Sequence, residues 1–202
     1  MPAPTVPIST TVYKLGGSLL SLSHLGPRIC RLLDSQQDSR PLLVVGGGDA
    51  ADLVRRWDRE HHLTAEAAHW LALAAMTLNE ALVQQLLPDS RIVANRHEAE
   101  RAWDDGVVPI LCACHFLRNE ERTCDHPLPH TWEVTSDSIA AWVAIQWPAA
   151  RMILLKSTSL PHPGAGALVD SYFTHLLPKI RDVRWVNLRA DNFIVQPFTD
   201  VN

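Results

Sequence analysis

"VYKLGGSLLS" (Val12–Ser21) sets an apolar, β-rich run, one lysine and two glycines in immediate succession. The same grammar returns in "PLLVVGGGDAADLV" (Pro41–Val54). The residues before the first glycine pair, Thr11–Leu15, alternate in polarity and predict a strand. Pro41–Val45 is continuously apolar, the pattern of a strand buried on both faces. Each run is broken by glycine and followed by a helical pattern. The first helix is predicted within 23–36, where Leu25, Ile29 and Leu32 or Leu33 form a stripe. The second opens at Asp49. A strand turned by glycine into a helix is the repeating unit of α/β proteins.

Outward from these two units the alternation continues. The longest helix is predicted over 64–87, capped by Thr64 and stopped by Pro88. Its stripe is Leu71, Ala75, Leu78 and Leu82, and with Trp70 and Leu73 it is apolar nearly all round. That favours burial on two sides, one of them a homo-oligomer interface. Arg91–Ala94 and Val107–Cys114 read as strands around a short helix at 97–105. Thr135–Trp147 reads as a helix capped by Thr135 or Ser136. Arg151–Ser157 is a further buried strand. Residues 168–180 are helical in their first part, and Val183–Arg189 closes as a strand. The order predicts an α/β protein, a three-layer αβα sandwich on a mainly parallel sheet. We expect a flexible Pro-rich lead-in at 1–10 and a single domain over 11–202.

Composition narrows the class. The 202 residues are 47% hydrophobic and 20% charged, ordinary for a globular chain. The formal net charge is -4, and no basic patch suggests nucleic-acid binding. No signal peptide and no membrane-length apolar run is seen, because Glu66, His69, Asn79 and Glu80 break the longest candidate. The four cysteines lack a framework spacing and read as reduced thiols of a cytoplasmic protein.

Ligands in open α/β sheets sit at the carboxyl ends of strands. Both glycine clusters fall there, and the helix that follows each offers amides to an anion. Lys14 lies close enough to reach the same anion. Glycine at strand ends is also ordinary turn punctuation, and neither cluster is a GxxxxGK[ST] or GxGxxG motif. Two further features add to the pattern. Asp137 falls in the first turn of its helix, either as part of a cap or as a carboxylate that holds lysine ammoniums in place. Lys156 ends its strand as Lys14 does, either as a surface lysine or as a second cation.

Taken in order, "KLGGS", "VVGGGD", "TSDSIAAWVA" and "ILLKS" resemble the amino acid kinase superfamily, which includes acetylglutamate, aspartate, glutamate, uridylate and isopentenyl-phosphate kinases. The resemblance runs from about Thr11 to Leu188 and implies an αβα sandwich and an ATP-dependent small-molecule kinase. It implies that Lys14 contacts the transferring phosphoryl group, that Gly16, Gly17 and Ser18 line the nucleotide phosphates, and that Gly46, Gly47, Gly48 and Asp49 bind the acceptor. Asp137 would organise the lysines, Lys156 being the second of them. ATP and Mg²⁺ are the implied cofactors, and a carboxylate or phosphomonoester the implied acceptor. Where many members carry a "TDVDGVY"-like stretch, this chain reads "KSTSLPHPGAGALVDSYF", which leaves the adenine contacts unassigned. The compact form resembles the subgroup that includes the archaeal aminomethylfuranmethanol-phosphate kinase of methanofuran synthesis and relatives in one-carbon metabolism. In that subgroup Arg55 or Arg96 would hold an acceptor phosphate.

"CACHFLRNEERTCDHPLPH" holds Cys112, Cys114, His115, Cys124, His126 and His130, enough soft ligands to raise a metal site. Their spacing fits no standard arrangement. Cys112 and Cys114 would share one strand face, and the rest reads as an irregular loop over the acceptor. Two functions stand: a kinase acting on a small molecule, with a homodimer or higher homo-oligomer as its assembly and no membrane or nucleic-acid partner, or a non-catalytic nucleotide- or anion-binding oligomer. A binding-only protein needs the glycines but not the Lys14–Asp137 pairing.

Overall fold

Residues 9–160 and 168–198 are described by the computed structural model. Its strands are β1 (Ser9–Leu15), β2 (Ser39–Val45), β3 (Ser90–Val93), β4 (Val108–Leu111), β5 (Arg151–Lys156), β6 (Val183–Asn187) and β7 (Gln196–Pro197). The helices are α1 (Leu25–Asp34), α2 (Gly48–His61), α3 (Ala65–Leu86), α4 (Arg96–Asp104), α5 (Ala113–Glu120), α6 (Ser136–Gln146) and α7 (Phe173–Leu176). Short 3₁₀ turns follow β1 at Gly17–Leu19 and α7 at Leu177–Lys179. Residues 1–8 of the expected lead-in lie outside the described residues, while Ser9 and Thr10 already belong to β1.

One seven-stranded sheet runs in the order β3-β4-β2-β1-β5-β6-β7. Every pairing is parallel except β6 with β7. From the central β1 the chain steps to β2 on one side and later to β5 on the other. The carboxyl ends of β1, β2 and β5 therefore meet where the strand order reverses, the place such sheets offer to ligands.

Alternation along the strands sorts the core into two layers. Val12, Leu42, Val44, Met152 and Leu154 face a layer built with α4, α5, α6 and much of α3. Tyr13, Leu15, Leu43, Val45, Ile153 and Leu155 face the other, where α1 contributes Leu25, Ile29 and Leu32. Lys14 shares the first face with Val12. The helix packed there is α6, buried from Asp137 to Ala144.

Two expected elements change. The strand expected over Val107–Cys114 stops at Leu111, and Cys112 and Cys114 belong to the start of α5 instead of one strand face. Cys112 is the N-cap, and the Ala113 amide donates to the buried Glu80 carboxylate at 3.0 Å. Ala113, Phe116 and Leu117 then bury at helical spacing. In 168–180 the first residues are not helical, and the helix is confined to Phe173–Leu176. Asp170 there is drawn into other hydrogen bonds, described below. Among the described residues no helix is long and apolar enough to cross a membrane.

Candidate active site

Parallel register brings the two lysines together. Lys14 on β1 is level with Leu154 on β5. Lys156 lies two residues further on, so both side chains leave the same face of the sheet. The first turn of α6 covers that face and places Asp137 between them. Lys14 Nζ lies 2.9 Å from Asp137 Oδ1 as an ion pair. Lys156 Nζ donates to Oδ2 at 2.8 Å and to the Leu168 carbonyl at 2.8 Å. The Lys156 ammonium also lies 5.5 Å from the centre of the Trp185 ring. Lys14 and Asp137 are buried, at 4% exposure each.

The charges perturb one another as burial requires. Desolvation alone would raise the Asp137 carboxyl, but Lys14 and Lys156 outweigh it and hold the group below the usual carboxylate range. Desolvation, and then the charge of Lys14, push the Lys156 ammonium down to about 8 against the pull of Asp137.

The two glycine loops pack backbone against backbone. A Cβ on Gly17 would stand 2.2 Å from the Gly48 nitrogen and 2.4 Å from its Cα. Gly48 itself has φ +47° and closes on the Gly17 carbonyl. The amides of Gly16 and Gly46 are committed within the sheet, to Leu155 O at 2.9 Å and Leu15 O at 2.8 Å. The amides left to face a ligand are those at the starts of the 3₁₀ turn and of α2, which lack acceptors in their own helices. Ser18 reaches across to β5, its hydroxyl donating to Ser157 Oγ at 3.0 Å. Asn79 of α3 fixes the second loop from behind, donating to the Gly46 and Gly47 carbonyls at 2.8 and 2.7 Å.

Asp170 anchors the start of α6. Its carboxylate accepts from the Thr135 amide (3.0 Å), the Ser138 amide (3.1 Å), the Thr135 hydroxyl (2.6 Å) and the Ser138 hydroxyl. Thr135 is thus the N-cap by position, but the cap is supplied by a residue 35 positions away, and neither Thr135 nor Ser136 caps with its own side chain. Nothing local in the sequence marks Asn79 or Asp170 for these roles. Asn79 was an interruption in an apolar run, and Asp170 acts entirely at long range.

A cavity of about 470 Å³ opens beside the loops. Gly17, Ser18, Gly47, Gly48 and Ser136 line it together with Asp52, Arg55, Asp58, His69 and Trp132. Arg55 is paired with Asp52 at 2.9 Å and lies over the Trp132 ring at 4.8 Å. Trp132 donates to Asp58 at 2.7 Å. Asp49 is exposed on the first turn of α2, outside the cavity lining. Arg96 is not brought to this site: it begins α4 and pairs with Glu100 at 3.3 Å. Of the stretch 156–173, whose adenine contacts the resemblance leaves unassigned, residues 161–167 lie outside the described residues.

Of the six soft ligands expected near 112–130, only His130 joins a group fit for a metal ion among the described residues, and its partners are His69 and Glu121. Burial lowers the His69 imidazole to about 4. Burial would also lower His130, but hydrogen bonds to Glu66 and Glu121 raise it on balance.

The model of the amino acid kinase family matches residues 9–159. Among solved structures, UMP kinase from Bacillus anthracis is 14% identical, with a TM-score of 0.63 over 94% of this chain and 99% of that one. UMP kinase from Ureaplasma parvum is 12% identical, with a TM-score of 0.62 and the same shares covered. Uridylate kinase from Archaeoglobus fulgidus is 22% identical, with a TM-score of 0.55 over 80% of this chain and 70% of that one. These likenesses establish a shared fold. No curated protein matches the chain significantly.

Proposed function

The chain belongs to the amino acid kinase family, and we propose from that premise that it is an ATP-dependent kinase for a small-molecule acceptor. The observation that carries this reading is the buried Lys14–Asp137–Lys156 cluster, set beside two glycine loops in backbone contact. Binding alone requires the loops. It does not require two ammoniums held in the low-dielectric interior by one carboxylate.

In this reading the nucleotide phosphates lie against the Gly17–Ser18 turn, and the acceptor occupies the cavity beside α2. Lys14 and Lys156 stabilise the charge that spreads over the transferring phosphoryl oxygens. Asp137 restricts both lysines to productive rotamers and stays ionised while doing so. Glycine at 17 and 48 lets the loops approach to a separation that side chains would prevent. Both Asp137 oxygens face ammoniums, so Mg²⁺ would be held by the nucleotide phosphates, where it neutralises charge when bound.

The α2 N-terminus suits an anionic acceptor, a phosphomonoester or carboxylate, which would draw Arg55 from its pairing with Asp52. A role in making a one-carbon carrier of the methanofuran type is the finer assignment. We further propose a cytoplasmic enzyme that assembles as a homo-oligomer through α3. The test is to incubate the protein with labelled ATP, Mg²⁺ and a panel of phosphomonoesters and carboxylates, and to repeat it with Lys14→Ala. Labelled product that disappears in the variant supports transfer. Nucleotide binding without turnover on any acceptor supports a non-catalytic relative.

A further inference from the structure

At the wall of the acceptor cavity that His69 lines, three segments converge on a group of imidazoles and carboxylates to which the transfer reading gives no role. His69 lies on α3, one turn after Glu66. Glu121 follows α5 directly, and His130 immediately precedes the cavity residues Thr131 and Trp132. His69 is 8% exposed, and its Nε2 has no hydrogen-bond partner among the described residues. The Glu121 side chain is 9% exposed, and its Oε1 likewise has none among them. Buried polar atoms are almost always paired, so two orphans in one such cluster point to a missing ligand. His130 stands between the carboxylates, its Nε2 3.2 Å from Glu121 and its Nδ1 bonded to Glu66.

We propose that His69, Glu121 and His130 bind a divalent cation of the zinc class. The three offer one ligand atom each, and these atoms lie within 4.8 Å of one another. Two imidazole nitrogens and a carboxylate oxygen suit a borderline-soft ion and disfavour Mg²⁺, which prefers oxygen donors. Glu66 supplies the outer partner: with His130 Nε2 on the ion, the Nδ1–H would stay bonded to the Glu66 carboxylate. Binding must draw the ligand atoms in to roughly 3.3 Å, the separation set by bonds of about 2.0–2.1 Å. It must also turn His69 and His130 out of their present stack, in which the ring centres are 3.9 Å apart and the planes 10° from parallel. The ion would tie α3 to the segment that carries Trp132, and so fix one wall of the cavity.

The test uses the whole chain after chelator treatment. Zn²⁺ is titrated by calorimetry and Co²⁺ by visible absorption. The expected result is one site per chain, a tetrahedral Co²⁺ spectrum without sulfur charge-transfer bands, and no heat with Mg²⁺. Glu121→Gln, which preserves shape, and His130→Ala should each weaken Zn²⁺ binding about 100-fold or more, the upper range for disturbing even an outer-shell partner. Circular dichroism verifies that both variants are folded, and Cys124→Ser should bind as the parent does. Three outcomes would overturn the proposal: no Zn²⁺ binding by the parent chain, undiminished binding in both folded variants, or a Co²⁺ spectrum dominated by sulfur.

Discussion

Replacing Lys156 with arginine tests whether charge on this side chain is what the transfer centre uses. Burial and the neighbouring Lys14 lower the Lys156 ammonium to about 8. The charged form is therefore lost as pH rises through that value. The kcat/KM profile reports the free enzyme, so with one titrating cation it should fall about 100-fold between pH 7 and pH 10. The kcat profile reports the loaded enzyme, where phosphate charge supports the ammonium, and should stay level to higher pH. Arginine does not deprotonate in this range. Lys156→Arg should lose activity at neutral pH from altered geometry, about 10-fold, yet show no alkaline fall. Lys156→Ala should cost about 10²–10³-fold in kcat, the range for removing one transition-state donor. Stability moves in the opposite sense. The folded chain gives up this proton near 8 and the unfolded chain near the ordinary 10.5. Folding stability from this group therefore rises over that interval, by roughly 3 kcal/mol. Steady-state rates across pH, with nucleotide and acceptor varied separately, check the first claim, and denaturant melts check the second. An alkaline fall that persists near pH 8 in Lys156→Arg refutes the assignment, and so does a Lys156→Ala enzyme of parental rate.

Gly17→Ala should separate the two loops, since the added Cβ would lie 2.2 Å from backbone that cannot yield as a side chain would. The expected result is loss of turnover beyond about 100-fold, with roughly 1–3 kcal/mol of destabilisation, read by rate assay and thermal melt. Glu80→Gln isolates a second titration. Burial raises the Glu80 carboxyl to about 7, so the folded chain keeps a proton that the unfolded chain loses near 4.5. Stability should therefore decline as pH rises from about 4.5 to 7, by roughly 3 kcal/mol, and the glutamine variant should lack that slope in denaturant melts. Leu78 and Leu82 are 68% and 42% exposed on one stripe of α3. Leu78→Glu with Leu82→Glu should shift the protein to monomer in analytical ultracentrifugation while leaving the circular dichroism spectrum unchanged.

The parts of this fold legible in the sequence were those governed by neighbours along the chain. β1, β2 and β5 announce themselves as apolar runs, and α3 by its length between Thr64 and Pro88, but the stripe expected there is wrong: Leu71, Leu78 and Leu82 are exposed, and the buried face carries Leu73, Met76 and Val83. Thr64 does cap α3, accepting from the Ala67 amide at 3.2 Å. The boundary at Leu111 was missed because "VVPILCAC" keeps period-two character past the end of β4, while the signal that starts α5 is the distant Glu80 carboxylate. β7 was missed because two residues at a sheet edge carry no pattern. The four polar residues that broke the apolar run of α3 were read as exclusions. Among them Asn79 holds the second glycine loop, Glu80 starts α5, and Glu66 and His69 enter the imidazole–carboxylate group. A polar residue on a buried helix is costly unless partnered, so its presence there signals a partner without saying which.

The proposed transfer centre depends on pairing register more than on any single residue. Two lysines and one aspartate leave a surplus of one positive charge in a site where Lys14 and Asp137 are almost fully buried. Such a surplus is unfavourable until an anion arrives, and burial, with the charge of Lys14 after it, lowers the proton affinity of Lys156. The arrangement persists because each member is fixed from outside the cluster: Lys14 by the central strand, Asp137 by an α6 start clamped to Asp170, and Lys156 by the Leu168 carbonyl. With side chains alternating across a strand, a slip of one residue between β1 and β5 would send Lys156 to the opposite layer and leave Asp137 a single cation. The pairing of Lys14 with Leu154 therefore sets which side chains meet at Asp137, and the apolar residues of β5 hold that register.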